Sequence, residues 1–134
     1  MRSRHLSVVV ERDPVDVYEF ARTPENLPLW ASGLAQSEIV RDGDGALADS
    51  PMGRVRFVFA PRNEYGVLDH DVTLPSGETV TNPLRVIAHP DGAELIFTLR
   101  ELADDDAAFE ADAAMVEADL ARLKELLEGP ARPA

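Results

Sequence analysis

The segment GVLDHDVTLPSG, residues 66–77, sets His70 between Asp69 and Asp71. A run of carboxylate, imidazole and carboxylate is the place in this chain where residue types alone suggest proton chemistry. An imidazole gives or accepts a proton near neutral pH, and a carboxylate beside it can fix its tautomer. Other reactive groupings are absent. His5 and His89 are scattered, with no spacing that sets two histidines on one helix or strand face, so no metal site is expected. The chain has no cysteine, which removes disulfides, thiolate sites and thiol nucleophiles and fits a reducing cytosol. Serine-nucleophile motifs and phosphate-cradling glycine loops are missing; GDG at 43–45 lies among charged residues and reads as a hairpin turn. No cofactor is expected.

Whether the three residues act together depends on the strand that carries them. Side chains alternate across a strand, so Leu68, His70, Val72 and Leu74 share one face while Asp69, Asp71 and Thr73 take the other. The apolar face is the buried one. The run therefore separates into one histidine for the interior and two aspartates for the surface.

Loop lengths extend this to neighbouring strands. With PSG as a three-residue loop, Leu74 pairs with Glu78 and His70 lies opposite Asn82. With HPDG as a four-residue loop, Ala88 pairs with Ala93 and Leu84 with Phe97. With RNEY as a four-residue loop, Pro61 pairs with Gly66, Phe57 falls beside His70, and Arg56 stands opposite Asp71; Arg85 is in diagonal reach of Asp69. All three registers gather apolar residues on one face: Val55, Phe57 and Phe59 on one strand, then Leu84 and Val86, then Leu95, Phe97 and Leu99.

The elements that must position these residues follow from the same patterns. HLSVVVE reads as a strand and DPVDVYEF as a helix with Asp13 as N-cap and Pro14 in its first turn. Pro24 and Pro28 restart a second short helix ending near Gly33, with Val17, Phe20, Leu27 and Trp30 turned inward. From residue 36 the chain reads as six strands in hairpin succession: QSEIVR, ALADS, RVRFVFA, GVLDHDVTL, ETVTNPLRVIA and AELIFTLR. One long helix closes the domain. Its Phe109, Ala113, Val116, Leu120, Leu123 and Leu127 recur at alternating steps of four and three, a stripe that needs a surface to cover. Residues 1–129 read as a single domain and 130–134 as a disordered tail.

Charge narrows the partners. Asp and Glu outnumber Lys and Arg 25 to 13, for a formal net charge of −12, a field that repels phosphate backbones and anionic lipid surfaces. Nucleic acid is not an expected partner. No apolar stretch approaches membrane-spanning length, and the N-terminus lacks the h-region of a signal peptide. The expected setting is the cytoplasm, with no membrane insertion, as a monomer or homodimer.

The order of strand, two short helices, meander and long terminal helix meets specific residues in ERDPVDVYEFARTPENLPLW, which resembles the opening of the SRPBCC or START-like superfamily. GVLDHDVTLPSG and PLRVIAHPDGAELIFTL are similar to its bacterial polyketide cyclase/dehydrase-like members. The resemblance covers essentially the whole chain. It implies an α+β helix-grip fold, in which a curved seven-stranded antiparallel sheet, with two short helices after its first strand, wraps a long C-terminal helix over an apolar cavity. It also implies lipid carriers, hormone receptors, cyclases and chaperone cofactors as the range of activities.

The expected cavity holds His70 and Asn82 as polar fixtures, Tyr18 and Trp30 at the helix corner, and a wall of Phe57, Phe59, Val72, Leu84, Phe97, Val116 and Leu120. Its expected occupant is a small hydrophobic or amphipathic molecule. Burial without a carboxylate partner depresses the pKa of His70 and favours neutral imidazole, which can orient a ligand carbonyl or hydroxyl or move a proton. The bland alternative for His70 is an interior hydrogen bond to Asn82. Two further functions stand beside binding: a cofactor-free cyclase or dehydratase with His70 as proton carrier, and a protein-interaction module working through its acidic surface.

Overall fold

The computed structural model describes residues 1–32, 35–101 and 105–129. β1 (Ser3–Val10) leads into α1 (Pro14–Arg22), where the Asp13 side chain accepts the Val15 amide at 2.9 Å and Pro14 supplies the first helical position. A 3-10 turn, Pro24–Asn26, and the single turn of α2 (Leu27–Trp30) complete the corner. The expected end of the second helix near Gly33 lies outside the described residues. β2 (Val40–Asp42), β3 (Gly45–Ser50), β4 (Gly53–Phe59), β5 (His70–Thr73), β6 (Thr79–Asn82), β7 (Leu84–His89) and β8 (Gly92–Arg100) follow, then α3 (Asp106–Glu128). The tail expected from 130 also lies outside the described residues.

The expected single seven-stranded sheet is replaced by eight strands in two antiparallel sheets, β1-β8-β7 and β2-β3-β4-β5-β6. Pro83 is the cause. It has no N–H to give to a ladder, so the run ETVTNPLRVIA breaks there into β6 and β7. The segment before β5 divides in the same way: Val67 bridges Arg85, the Leu68 amide donates to the Leu84 carbonyl at 2.8 Å, and the Val86 amide to that of Gly66 at 2.9 Å. Residues 66–68 thus lie on β7 while His70–Thr73 lie on β6, and the chain changes sheets at Asp69. Gly66 permits the approach, with φ of 72° and a position where a Cβ would fall 1.9 Å from the Val86 carbonyl oxygen.

Two of the three expected registers hold. His70 pairs with Asn82, and Ala88 with Ala93 so that Leu84 meets Phe97. The β4–β5 register differs by two residues: Phe59, and not Phe57, stands opposite His70, while Val58, and not Arg56, stands opposite Asp71. The connection is longer than RNEY, since the Ala60 amide closes it on the Asp69 carbonyl at 2.8 Å. Asn63 organises it, donating to the carbonyls of Pro61 and Val67 and accepting the amides of Tyr65 and Val67. A slip of two preserves the faces.

α3 begins on Asp105, whose carboxylate accepts the amides of Ala107 and Ala108 at 3.0 and 3.2 Å. It packs against β1, β8 and α2. Leu120, Leu123 and Leu127 enter the main core, and Phe109 and Ala113 join Leu99 in a smaller cluster. Lys124 ties the helix to the sheet, its Nζ donating to the Val9 carbonyl at 2.7 Å.

Candidate functional site

A cavity of about 260 Å³ lies between α3, α2 and the inner faces of both sheets. Its walls are mostly apolar: Phe59 from β4, Val72 from β5, Val80 from β6, Leu84 from β7 and Phe97 from β8. Leu27 and Trp30 close it from α2, and Met115, Val116 and Leu120 from α3; Pro51 and Met52 reach it from the β3–β4 turn. Among the described residues its polar lining consists of His70, Asn82, Asp112 and Asp119, together with the indole of Trp30.

His70 is 7% exposed, with its ring edge-on to Phe59 at 5.4 Å and tilted against Phe97 at 6.2 Å. Its Nδ1 lies 3.0 Å from the Leu68 carbonyl oxygen. A carbonyl only accepts, so Nδ1 carries the hydrogen and Nε2 presents a lone pair. No protein group among the described residues meets Nε2. Burial lowers the pKa of His70 and outweighs the opposing pull of the Leu68 carbonyl and the two neighbouring aspartates, which leaves a neutral imidazole. The expected bond to Asn82 is not made; the two residues are ladder partners, and the bend at Asp69 offers His70 the carbonyl of Leu68 instead.

The two aspartates serve different ends. Asp69 accepts Arg85 Nε at 2.9 Å and Nη2 at 2.8 Å, and it also accepts the Leu84 amide at 2.9 Å. Its carboxylate thus satisfies the amide that follows Pro83, where the sheet divides. The Arg85 guanidinium holds its carboxyl below the usual carboxylate range. Asp71 is exposed and accepts the Thr81 hydroxyl at 2.5 Å. Arg56, expected opposite it, instead binds Asp42 and Asp44 at 2.9 Å each.

Of the residues expected at the cavity, His70, Asn82, Phe59, Val72, Leu84 and Phe97 line it from the strands, and Trp30, Val116 and Leu120 from the helices. Phe57 does not. The two-residue slip seats it in the core at 1% exposure, edge-on to Phe59 at 5.8 Å. Tyr18 does not either: its hydroxyl accepts the Asn63 amide at 3.0 Å and anchors the β4–β5 loop.

Sequence reasoning missed the two carboxylates. Asp112 precedes Val116 by four residues and Asp119 follows it by three, so both share its side of α3, a spacing legible once Val116 is placed inward. Asp119 is 7% exposed and is held by Ser32 Oγ at 2.6 Å and Arg122 at 3.4 Å. Asp112 is half-buried and makes no hydrogen bond or ion pair with the described residues, and burial raises its carboxyl pKa. Among the described residues no three His, Asp or Glu side chains gather where they would hold a metal ion. No helix among them is long and apolar enough to cross a membrane.

No curated protein matches the chain by sequence. Solved structures match it closely in fold. The protein MLL2253 from Mesorhizobium loti superposes with a TM-score of 0.71 at 12% identity, over 94% of this chain and 96% of that one. The Aha1 dimer from Colwellia psychrerythraea gives 0.71 at 16%, over 96% and 98%. DynU16, from the dynemicin biosynthetic locus, gives 0.72 at 14%, over 95% of this chain and 47% of its own, so this chain spans about half of it. Such identities establish likeness of fold alone. The family described as polyketide cyclase / dehydrase and lipid transport matches residues 1–128, and the chain therefore belongs to that family, within the SRPBCC superfamily.

Proposed function

We propose that this protein binds a small hydrophobic or amphipathic molecule in the cavity beneath α3, with His70 and Asn82 as the polar fixtures that orient it. One observation carries the reading. An apolar cavity of about 260 Å³ contains a buried imidazole whose Nε2 has no protein partner among the described residues. A mostly apolar hollow with a few convergent polar atoms is the usual form of a small-molecule site, and a desolvated acceptor gains most when a ligand donor meets it. Membership of a family described by cyclisation, dehydration and lipid transport supports the same reading. The protein acts, on this reading, in the cytoplasm as a monomer or homodimer.

A second reading, a cofactor-free cyclase or dehydratase, draws on the state of His70. A neutral imidazole held in one tautomer is ready to accept a proton from a carbon or hydroxyl of a bound substrate. The volume favours a modest substrate. A protein-interaction role through the acidic surface is the weakest of the three, because the likeness to Aha1 is one of fold.

Native mass spectrometry of the purified protein, with any retained small molecule identified, tests binding directly. His70→Leu then separates the first two readings, read by quenching of Trp30, the sole tryptophan and a residue of the cavity wall. For a binder, affinity weakens by about 1 to 3 kcal/mol, the cost of a lost buried polar partner. For an enzyme, turnover drops roughly 100-fold or more while binding persists. Unchanged binding and turnover in a folded His70→Leu protein refutes a functional histidine.

A further inference from the structure

The cavity carries a charge pattern that narrows its ligand beyond apolar or amphipathic. Among the described residues lining it, the acidic side chains are Asp112 and Asp119. Asp119 is already engaged by Ser32 and Arg122. Asp112 stands on the wall with no cation or hydrogen-bond donor among the described residues to meet it. No lysine or arginine among the described residues lines the cavity, and His70 is neutral with an acceptor at Nε2. A ligand carboxylate or phosphate would therefore enter without a cationic partner among the described lining residues and against the carboxyl of Asp112. The net charge of −12 over the whole chain adds to the same preference.

Position agrees with charge. His70 is 7% exposed, whereas Asp112 is half-buried and Met52, also on the cavity wall, is 54% exposed. The carboxylate thus lies between the apolar interior and water, where an amphiphile would hold its charged end. A partly desolvated carboxylate without a partner is costly, and a counter-ion brought by the ligand removes that cost.

Resting on the cavity reading above, we propose that the ligand is an organic amine on an apolar skeleton. Its ammonium pairs with Asp112 at the mouth, and its body lies among Phe59, Val72, Leu84 and Phe97. A ligand N–H or O–H that reaches the interior donates to His70 Nε2.

Three compounds of one skeleton test this by isothermal titration calorimetry: naphthylethylamine as cation, naphthylethanol as its neutral counterpart and naphthylacetate as anion. The wild-type protein is expected to bind the amine about tenfold or more tighter than the alcohol, as a hydrogen bond to a charged group allows, and the acid weakest. Asp112→Asn keeps the shape and removes the charge. It is expected to bring the amine down to the affinity of the alcohol and leave the alcohol unchanged. An alcohol or acid that binds wild type as tightly as the amine overturns the amine assignment and leaves the cavity reading standing. An amine preference that survives Asp112→Asn overturns the role of Asp112. Failure of all three compounds to bind overturns both the assignment and the cavity reading.

Discussion

Nδ1 of His70 lies 3.0 Å from the carbonyl oxygen of Leu68, two residues earlier in the chain, and this contact decides which nitrogen of the ring is left without a partner among the described residues. The local bend that allows it comes from Asp69, where the chain leaves β7 and joins β6. The histidine's tautomer and the crossing of residues 66–73 from β7 to β6 thus share one origin.

The burial of His70 has a consequence for stability against pH. Its folded pKa is lowered from the ordinary 6.5, so the unfolded chain takes up the proton first as pH falls. The contribution is fully present above about 6.5 and is lost as pH falls from there toward the folded value. His70→Gln removes this dependence. Thermal melts of both proteins from pH 7.5 to 5 are expected to show the wild type losing more stability, so that the gap between them changes steadily below about pH 6.5. Parallel curves would show that the imidazole is not desolvated.

Asp69 and Asp71 are expected to differ although they flank the same residue. Asp69→Ala leaves the Leu84 amide without its acceptor and is expected to cost about 1 to 3 kcal/mol in urea unfolding. Asp71→Ala removes an exposed contact with Thr81, and a change of no more than about 1 kcal/mol is expected. Equal costs would show that Asp69 does not hold the sheet junction.

Leu120 is 2% exposed and faces both core and cavity. Leu120→Asp buries an unpaired charge and removes apolar contact, and about 4 kcal/mol or more is expected to go, enough to unfold a domain of marginal stability. Circular dichroism and a cooperative melt like the wild type's would mean that α3 does not grip the sheets.

Gly66→Ala tests the close approach between sheets. The residue sits at φ of 72° with the Val86 carbonyl where its Cβ would go, so a loss of about 2 kcal/mol or more is expected. Gly77, also at positive φ, has open space around it, and Gly77→Ala is expected to cost less, about 1 kcal/mol. Equal midpoints for the two variants in urea would deny the Gly66 contact.

Patterns of period two and 3.6 need only local sequence, and they determined which face each residue takes. Val72, Leu84 and Phe97 fall inward, Asp71 falls outward, and the stripe from Phe109 to Leu127 lies against the body of the protein for that reason. The PSG and HPDG turns are short enough for residue type to set their length, so the β5–β6 and β7–β8 registers were legible as well. What sequence left open depends on partners distant along the chain. The β4–β5 loop takes its length from the bonds that Asn63 makes within it and from Tyr18 beneath it, and this moved Phe59 into the place expected for Phe57. Pro83 is visible in sequence as a residue without a donor, but that it splits the sheet, and that the Asp69 carboxylate accepts the amide of the next residue, Leu84, follows only when residues 66–68 lie across β7. The unpartnered carboxylate of Asp112 is likewise a tertiary fact. A helix pattern assigns it a side, and only the packed sheets decide that this side is a hollow lined by no lysine or arginine among the described residues.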